Sequence, residues 1–373
     1  MAGPVGAARA QDTIGFVARL GVDTVAVERV VRTPTSLTAH VVIRSPRTVV
    51  MRHTLTIGAA GGYDRLEALV LHAVSGEVLR QTVYRRDGDS IRVDDVQGER
   101  RTQRAIAAPP GTLPFIDLVH WPFDLLLTRM RSAGTMSWDA PMITGNGTSG
   151  FPLAFLGADS ATVTHPSRGT MRVRVTPAGG IVALDAGATT RALVVSRGPA
   201  PDVAAMARDF AARDAAGQGM GALSGRDTAN ATVLGAEFLV DYGTPVKRGR
   251  DIWGALVRYG QLWRTGANQA THLTTSRDLQ FGPLHVPAGT YTLFSIPEAD
   301  GGVLIINRQT GQNGQTYDQD RDLGRVPLRA RALSDVVEVF TIAVTEENGR
   351  GLLRIQWDGT ELVAEFTVAG SRP

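Results

Sequence analysis

The residues best suited to chemistry lie in one irregular segment, Val246–Asn268, which combines aromatic rings, arginines and four glycines. Trp253, Tyr259 and Trp263 offer flat faces that could stack on a sugar or an apolar ligand. Arg264 and Asn268 could donate hydrogen bonds to the oxygens of the same ligand. A second arginine, Arg250, completes the predicted ligand-binding set. The alternative is structural, with the tryptophans filling a β core and Arg264 paired to Asp241 as an internal brace.

The same region also supports a catalytic hypothesis. Asp241 and Tyr242 lie just before the segment and His272 follows Asn268 by four residues. Together with Arg264 they would supply an acceptor, a hydroxyl, a cation and a general base to a cofactor-free hydrolase or isomerase. A strand-borne polar residue is the simpler interpretation of His272. The sequence therefore leaves ligand binding, catalysis and a purely structural role open.

Metal and cofactor chemistry finds little support in the sequence. The chain has no Cys, and its seven His residues show no helical i, i+4 pair and no H-x-H. Asp318, Asp320 and Asp322 alternate as in a calcium loop, but Leu323 and Arg329 replace the required Gly and Glu. The sequence has no phosphate-loop or G-x-S-x-G pattern, and no G-x-G-x-x-G lies between a predicted strand and a predicted helix. We expect no metal and no cofactor.

The composition limits the classes of partner that we expect the protein to bind. The 39 basic residues barely exceed the 36 acidic ones, and the arginines are scattered along strands, so we expect no nucleic-acid partner. No apolar run approaches the length of a membrane span. A small-molecule or glycan ligand stays possible, and the sequence does not set the oligomeric state.

The rest of the chain predicts a mostly β protein. Period-2 alternation from Asp12 onward predicts an antiparallel, half-barrel-like meander. The predicted meander surrounds a buried apolar helix at Pro114–Met130, which Pro122 should kink or split. A linker helix at Pro201–Ala216 and a Gly-rich linker lead to a C-terminal β-sandwich-like domain. The predicted divisions are residues 1–11, an export-signal remnant or disordered; 12–198, the meander domain; 199–226, the linker helix and Gly-rich linker; and 227–370, the C-terminal domain.

About residues 227–368 resemble the bacterial family called domain of unknown function 2911. The residues that carry the resemblance are Asp241-Tyr242, Pro245, Lys247, Gly249-Arg250, Ile252-Trp253-Gly254, Leu256-Val257, Tyr259-Gly260, Trp263-Arg264-Thr265-Gly266-Ala267-Asn268, Ala270-Thr271, Ala288-Gly289-Thr290-Tyr291, Leu293-Phe294, Ile296-Pro297, Asn307 and Phe340-Thr341. Arg258 and Thr244 depart from the family pattern. The resemblance implies a compact antiparallel β domain, usually in exported proteins, and brings no established activity or ligand. The first half resembles no family in the same way.

The N-terminus adds a prediction of location. Ala8-Arg9-Ala10 has the small-x-small form of a signal-peptidase site, although the residues before it are too few and too Gly-rich for an apolar stretch. We therefore expect a truncated export signal and a periplasmic or otherwise exported protein. The leading hypothesis is a non-catalytic cell-envelope protein that binds a glycan or an apolar small molecule. The alternatives are the cofactor-free enzyme and a structural interaction module.

Overall fold

The computed structural model describes residues 12–58, 63–189 and 191–369. The chain divides into two compact units between Gly221 and Ala222. Most described residues lie in β-strands and two segments form α-helices, as the sequence predicts. Neither helix has the length and apolar character needed to cross a bilayer.

The N-terminal unit is one long sheet with two helices. Its strands are β1 (Asp12–Leu20), β2 (Asp23–Arg32), β3 (Ser36–Ile43), β4 (Val49–Ile57), β5 (Tyr63–His72), β6 (Val78–Asp87), β7 (Ser90–Gln97), β8 (Arg100–Ala107), β9 (Leu113–Pro114), β10 (Ser137–Thr144), β11 (Gly147–Phe155), β12 (Ser160–His165), β13 (Gly169–Val175), β14 (Ile181–Asp185) and β15 (Leu193–Gly198). The helices are α1 (Trp121–Ser132) and α2 (Val203–Ala215).

The sheet is a meander that curls. Its order runs from β8 back to β1, then through β15 down to β9, and all pairs are antiparallel except β9 with β10. Some Cα atoms of β8 and β11 lie within 8 Å of each other, so the sheet bends toward closure. Inward side chains such as Phe16, Leu37 and Leu55 are fully buried. The predicted half-barrel-like meander is therefore confirmed.

Helix α1 is the buried helix of this unit, but the predicted start at Pro114 is wrong. The helix begins at Trp121, and Pro122 occupies its first turn, where a missing N–H costs nothing. Proline therefore starts the helix and does not kink it. Leu126 and Leu127 are fully buried, which places an apolar helix inside the sheet as predicted.

The N-terminus of α1 is held by a buried glutamate from β2. Glu28 Oε1 accepts hydrogen bonds from His120 N at 2.7 Å and His120 Nδ1 at 2.9 Å, and Oε2 accepts from Trp121 N at 3.2 Å. Trp121 Nε1 in turn donates to His53 Nδ1 at 3.2 Å. A carboxylate is stabilised at a helix N-terminus because the first N–H groups have no helical partner. Glu28 thus replaces the cap that His120 lacks.

Helix α2 covers part of the other face of the same sheet. Its Val203, Ala207 and Phe210 pack on Val27 and Val42 of β2 and β3. Its N-terminus is capped by Asp202, whose side chain accepts from Ala205 N at 3.0 Å. The segment predicted as a linker helix is therefore packed on the meander sheet, and the unit ends after it.

The C-terminal unit is a second sheet. Its strands are β16 (Ser224–Val233), β17 (Ala236–Pro245), β18 (Thr271–Thr275), β19 (Leu279–Phe281), β20 (Leu284–Val286), β21 (Gly289–Glu298), β22 (Gly301–Asn307), β23 (Asp322–Glu347) and β24 (Arg350–Val368), with a 3₁₀ turn at Gln319–Arg321. The order is β16-β17-β18-β21-β22-β23-β24-β19-β20.

Two long strands fold this second sheet over its own core. The register of β23 and β24 shifts between Ala332 and Thr341, and β23 returns beside β16 and β17. The enclosed core contains Phe238, Phe340 and Trp357, which gives the predicted sandwich-like arrangement. Asn348 and Gly349 have φ values of 53° and 72°, which agrees with the predicted type I′ hairpin.

Candidate functional site

The Val246–Asn268 segment connects β17 to β18 and its motif forms a tight turn on β21. Trp263 N donates to Ser295 O at 2.7 Å, and Ser295 N donates back to Trp263 O at 2.8 Å. Thr265 Oγ1 and Ser295 Oγ lie 2.9 Å apart in the buried interior. A Cβ at Gly243 would overlap the Ala267 carbonyl, so the turn and β17 touch backbone to backbone.

The two tryptophans predicted to stack on a ligand belong to an aromatic cluster that packs against the core. The ring of Trp263 packs edge-on to Trp253 at 5.8 Å and parallel to Trp357 at 6.3 Å between centroids. Trp253 Nε1 donates to Trp357 O at 3.0 Å. The structure therefore places these rings and this donor in contacts within the protein. Tyr259 is different, because 39% of it is exposed and its ring lies over Gly254.

Arg250 and Tyr242 also have partners inside the domain. Arg250 Nε donates to Lys247 O at 2.9 Å and its Nη2 donates to Val246 O, so it braces its own turn. Tyr242 is 3% exposed and packs against Phe340. Burial raises the pKa of the Tyr242 hydroxyl, and a hydrogen bond with the backbone opposes the rise. Both side chains therefore make contacts that stabilise the domain.

Asp241 and His272 lie side by side on neighbouring strands. Asp241 forms an ion pair with Arg226 at 2.6 Å, so the predicted Asp241–Arg264 brace is not formed. His272 Nε2 accepts a hydrogen bond from Gly311 N at 3.0 Å. Burial, followed by the charge of Arg226, lowers the pKa of His272, while Asp241 opposes the change. The lowered pKa favours the neutral imidazole of His272, and one ring nitrogen already accepts the hydrogen bond from Gly311 N.

Arg264 is the exception among these residues. Among the residues that the structure describes, its guanidinium has no hydrogen bond and no ion pair. Burial alone lowers its pKa, with no contribution from an acidic side chain. Its stem packs on Gly314, where a Cβ would lie 2.6 Å from Arg264 Cδ. Arg264 is thus a half-buried cation held beside a loop without a counter-charge.

The loop beside Arg264, residues 309–316, is a part of the site that sequence reasoning missed. Gly314 N donates to Asn268 O at 3.2 Å, while the Asn268 side chain is on the exposed surface with φ 63°. Gln312 Nε2 donates to Thr292 Oγ1 at 3.1 Å, and the Oε1 atoms of Gln309 and Gln312 are buried without partners. The polar, Gly-broken run from Arg308 to Thr316 was the available signal.

This region therefore presents both hydrogen-bond donors and hydrogen-bond acceptors beside one loop. Arg264 supplies donors that no described residue uses, and the exposed Asn268 amide supplies both a donor and an acceptor, whereas the two glutamine oxygens are enclosed within the loop. The alternating aspartates, which the sequence already separates from a true calcium loop, follow directly, and Asp322 among them accepts from Asn307, Tyr317 and Arg325. Within the described ranges, no group of three His, Asp or Glu side chains is positioned to hold a metal ion.

The fold and this surface define a two-unit, mostly β protein with an irregular, polar surface on the second unit. Residues 224–366 of that unit match the family model described as protein of unknown function (DUF2911), which confirms the resemblance seen in the sequence. The N-terminal half has no family match. None of the curated proteins matches the chain.

One solved structure with a detectable likeness is the beta-barrel-like protein of domain of unknown function DUF1849 from Brucella abortus. The two proteins share 7% identity, and the match covers 50% of this chain and 94% of that one with a TM-score of 0.31. A score at this level carries no conclusion about function.

Proposed function

We propose that the C-terminal domain is a non-catalytic binding module for a small acidic glycan, with Arg264 as the residue that binds its carboxylate. The observation that carries the proposal is the half-buried Arg264 guanidinium, which no acid or carbonyl of the described residues satisfies. A guanidinium in this condition is favoured when a ligand supplies a carboxylate to its planar donors.

The surface around Arg264 supports a sugar as the rest of the ligand. Asn268 ends the same turn with its side chain exposed, so its amide would exchange hydrogen bonds with sugar hydroxyl groups. The exposed Tyr259 ring would offer a face for stacking on the sugar. A purely apolar ligand would leave these groups unpaired, so it is the less suitable occupant.

The enzyme alternative is less well supported by the same geometry. As a general base, His272 would have to give up the hydrogen bond from Gly311 N, and Asp241 would have to leave Arg226. A binding role needs no such rearrangement. The exported, cell-envelope location is likewise a proposal. It rests on the Ala8-Arg9-Ala10 motif, which lies outside the described residues.

Isothermal titration of the full chain with galacturonate and glucuronate tests the proposal. We expect saturable binding of the acids and at least tenfold weaker binding of galactose and glucose, because the charged contact is worth about 1.5–3 kcal/mol. Arg264→Met should remove the preference for the acid. Arg329→Met is the matched control, because Arg329 is a 79% exposed arginine of the same domain. Equal binding of acids and neutral sugars, or full retention in Arg264→Met, would contradict the proposal.

A further inference from the structure

The concave face of the N-terminal sheet holds a second group of cations that the sequence did not reveal. Arg32 ends β2, Arg129 lies in the last turn of α1, and Arg197 lies on β15 opposite Phe16. Phe16 is fully buried, and the register places Arg197 on the same inner side of the sheet. All three arginine side chains are partly buried.

One carboxylate lies among these arginines, and it is fully used. Asp124 of α1 accepts from Arg32 Nη2 at 2.7 Å and from Ile181 N at 2.7 Å. Arg197 Nη1 is close to it as well. A Cβ on Gly180 would lie 3.0 Å from Arg197 Nη1 and 3.3 Å from Asp124 Oδ1. The three guanidinium groups and Asp124 therefore meet around the 176–181 turn and α1.

The charges in this cluster do not balance. The three arginines form no ion pair within the described residues except that of Arg32 with Asp124, so two positive charges are uncompensated. Arg129 Nη2 and Arg32 Nε are buried and have no hydrogen-bond partner among the described residues. Burial lowers the pKa of Arg129, and the charge of Arg32 lowers it further. Buried, unpaired donors of one sign are costly unless a ligand of the opposite sign satisfies them.

We propose that Arg32, Arg129 and Arg197 form a binding site for the phosphate group of a ligand on the concave face of the N-terminal domain. A phosphate dianion matches the two uncompensated charges, and its oxygens accept from several guanidinium donors at once. A carboxylate would neutralise one charge and leave the other exposed to a low-dielectric interior. This site is independent of the acidic-glycan site proposed for the other domain.

Titration calorimetry with inorganic phosphate, phenyl phosphate and acetate at constant ionic strength tests this site in the full chain. We expect saturable binding of a phosphate probe, no comparable binding of acetate, and about tenfold or greater weakening in Arg129→Gln. Arg92→Gln is the matched control, because Arg92 is an exposed arginine of the same domain paired with Asp87, and it should bind like the wild type. Tighter binding of phenyl phosphate would indicate a larger phosphorylated ligand, and equal binding would indicate free phosphate.

A second variant guards against a folding defect. Arg197→Gln removes another cation of the cluster and should weaken the same phosphate probe while circular dichroism and thermal melting stay close to the wild type. Three results would overturn the proposal. They are no saturable heat with either phosphate probe, equal affinity in the wild type and both cluster variants, or acetate binding as tight as phosphate.

Discussion

Two arginines of the C-terminal domain allow the same substitution to be compared in opposite settings. Arg264 has no partner among the described residues, whereas Arg354 is bound on all sides. Arg354 Nη1 donates to both oxygens of Glu361 at 3.0 Å and 2.9 Å, and its Nη2 donates to Glu347 at 2.8 Å. The Glu361 side chain is 3% exposed. We predict opposite consequences of replacing each arginine with Met.

The expected magnitudes follow from what each substitution leaves behind. Arg354→Met leaves the buried Glu361 carboxylate without its counter-charge and with the Gln356 amide as its remaining partner among the described residues. This loss should lower the free energy of unfolding by about 3–5 kcal/mol. Arg264→Met leaves no described group without its partner and removes a partly desolvated charge. Met also keeps most of the apolar stem that packs on Gly314. The free energy of unfolding should therefore change by less than about 1 kcal/mol, or rise.

Urea denaturation of the full chain, followed by tryptophan fluorescence and circular dichroism, measures both changes. The transition that moves in Arg354→Met belongs to the C-terminal domain, so it identifies the one to follow in Arg264→Met. A loss above about 3 kcal/mol for Arg264→Met would refute the reasoning. It would mean that the guanidinium braces the fold and is not held for a ligand.

Three further predictions concern the N-terminal unit. Leu126→Asp should destabilise it by several kcal/mol in thermal unfolding, because a charge would be buried inside the sheet without a partner; an unchanged midpoint would contradict the buried position of α1. Burial lowers the pKa of His53 from 6.5 to about 4, so the unfolded state binds more protons between these values. Stability should therefore fall as the pH drops from 6.5 toward 4, by up to about 3 kcal/mol, and His53→Gln should flatten this dependence while exposed His72→Gln should not. Limited proteolysis should cut first between Gly217 and Gly221 and release two folded fragments, whereas early cuts within α2 would contradict its packing on the sheet.

The strands and hairpins could be predicted from the sequence because their signals are local. Alternation of apolar residues and the Asn348-Gly349 turn act over a few residues, and both appear in the structure as expected. The sequence also carries a signal for the packing of α2, because Val203, Ala207 and Phe210 form one apolar stripe at helical spacing. The Gly-rich continuation after Ala216 nevertheless favours a linker when the sequence alone is considered.

The contacts of the candidate site could not be predicted, because they depend on which strands become neighbours. The register of β16 with β17 brings Arg226 to Asp241, and this pairing leaves Arg264 without the partner that proximity in sequence had indicated. Trp253 donates to a carbonyl of β24, which lies outside the motif segment. In the other unit, the hydrogen bond that Glu28 accepts from His120 N at the start of α1 spans 92 residues of sequence. Residue types were visible in the sequence, but their partners were not.

The central claim is that the Arg264 guanidinium is held ready for an acidic ligand. Nuclear magnetic resonance of the arginine Nε–Hε signals measures this directly, with Arg264 assigned by its loss in Arg264→Met. On titration with galacturonate, we predict a saturable shift of the Arg264 signal, with the signal of exposed Arg329 unchanged and galactose without effect. An Arg264 signal that stays in place through millimolar acid, or that moves equally with the neutral sugar, would contradict the account.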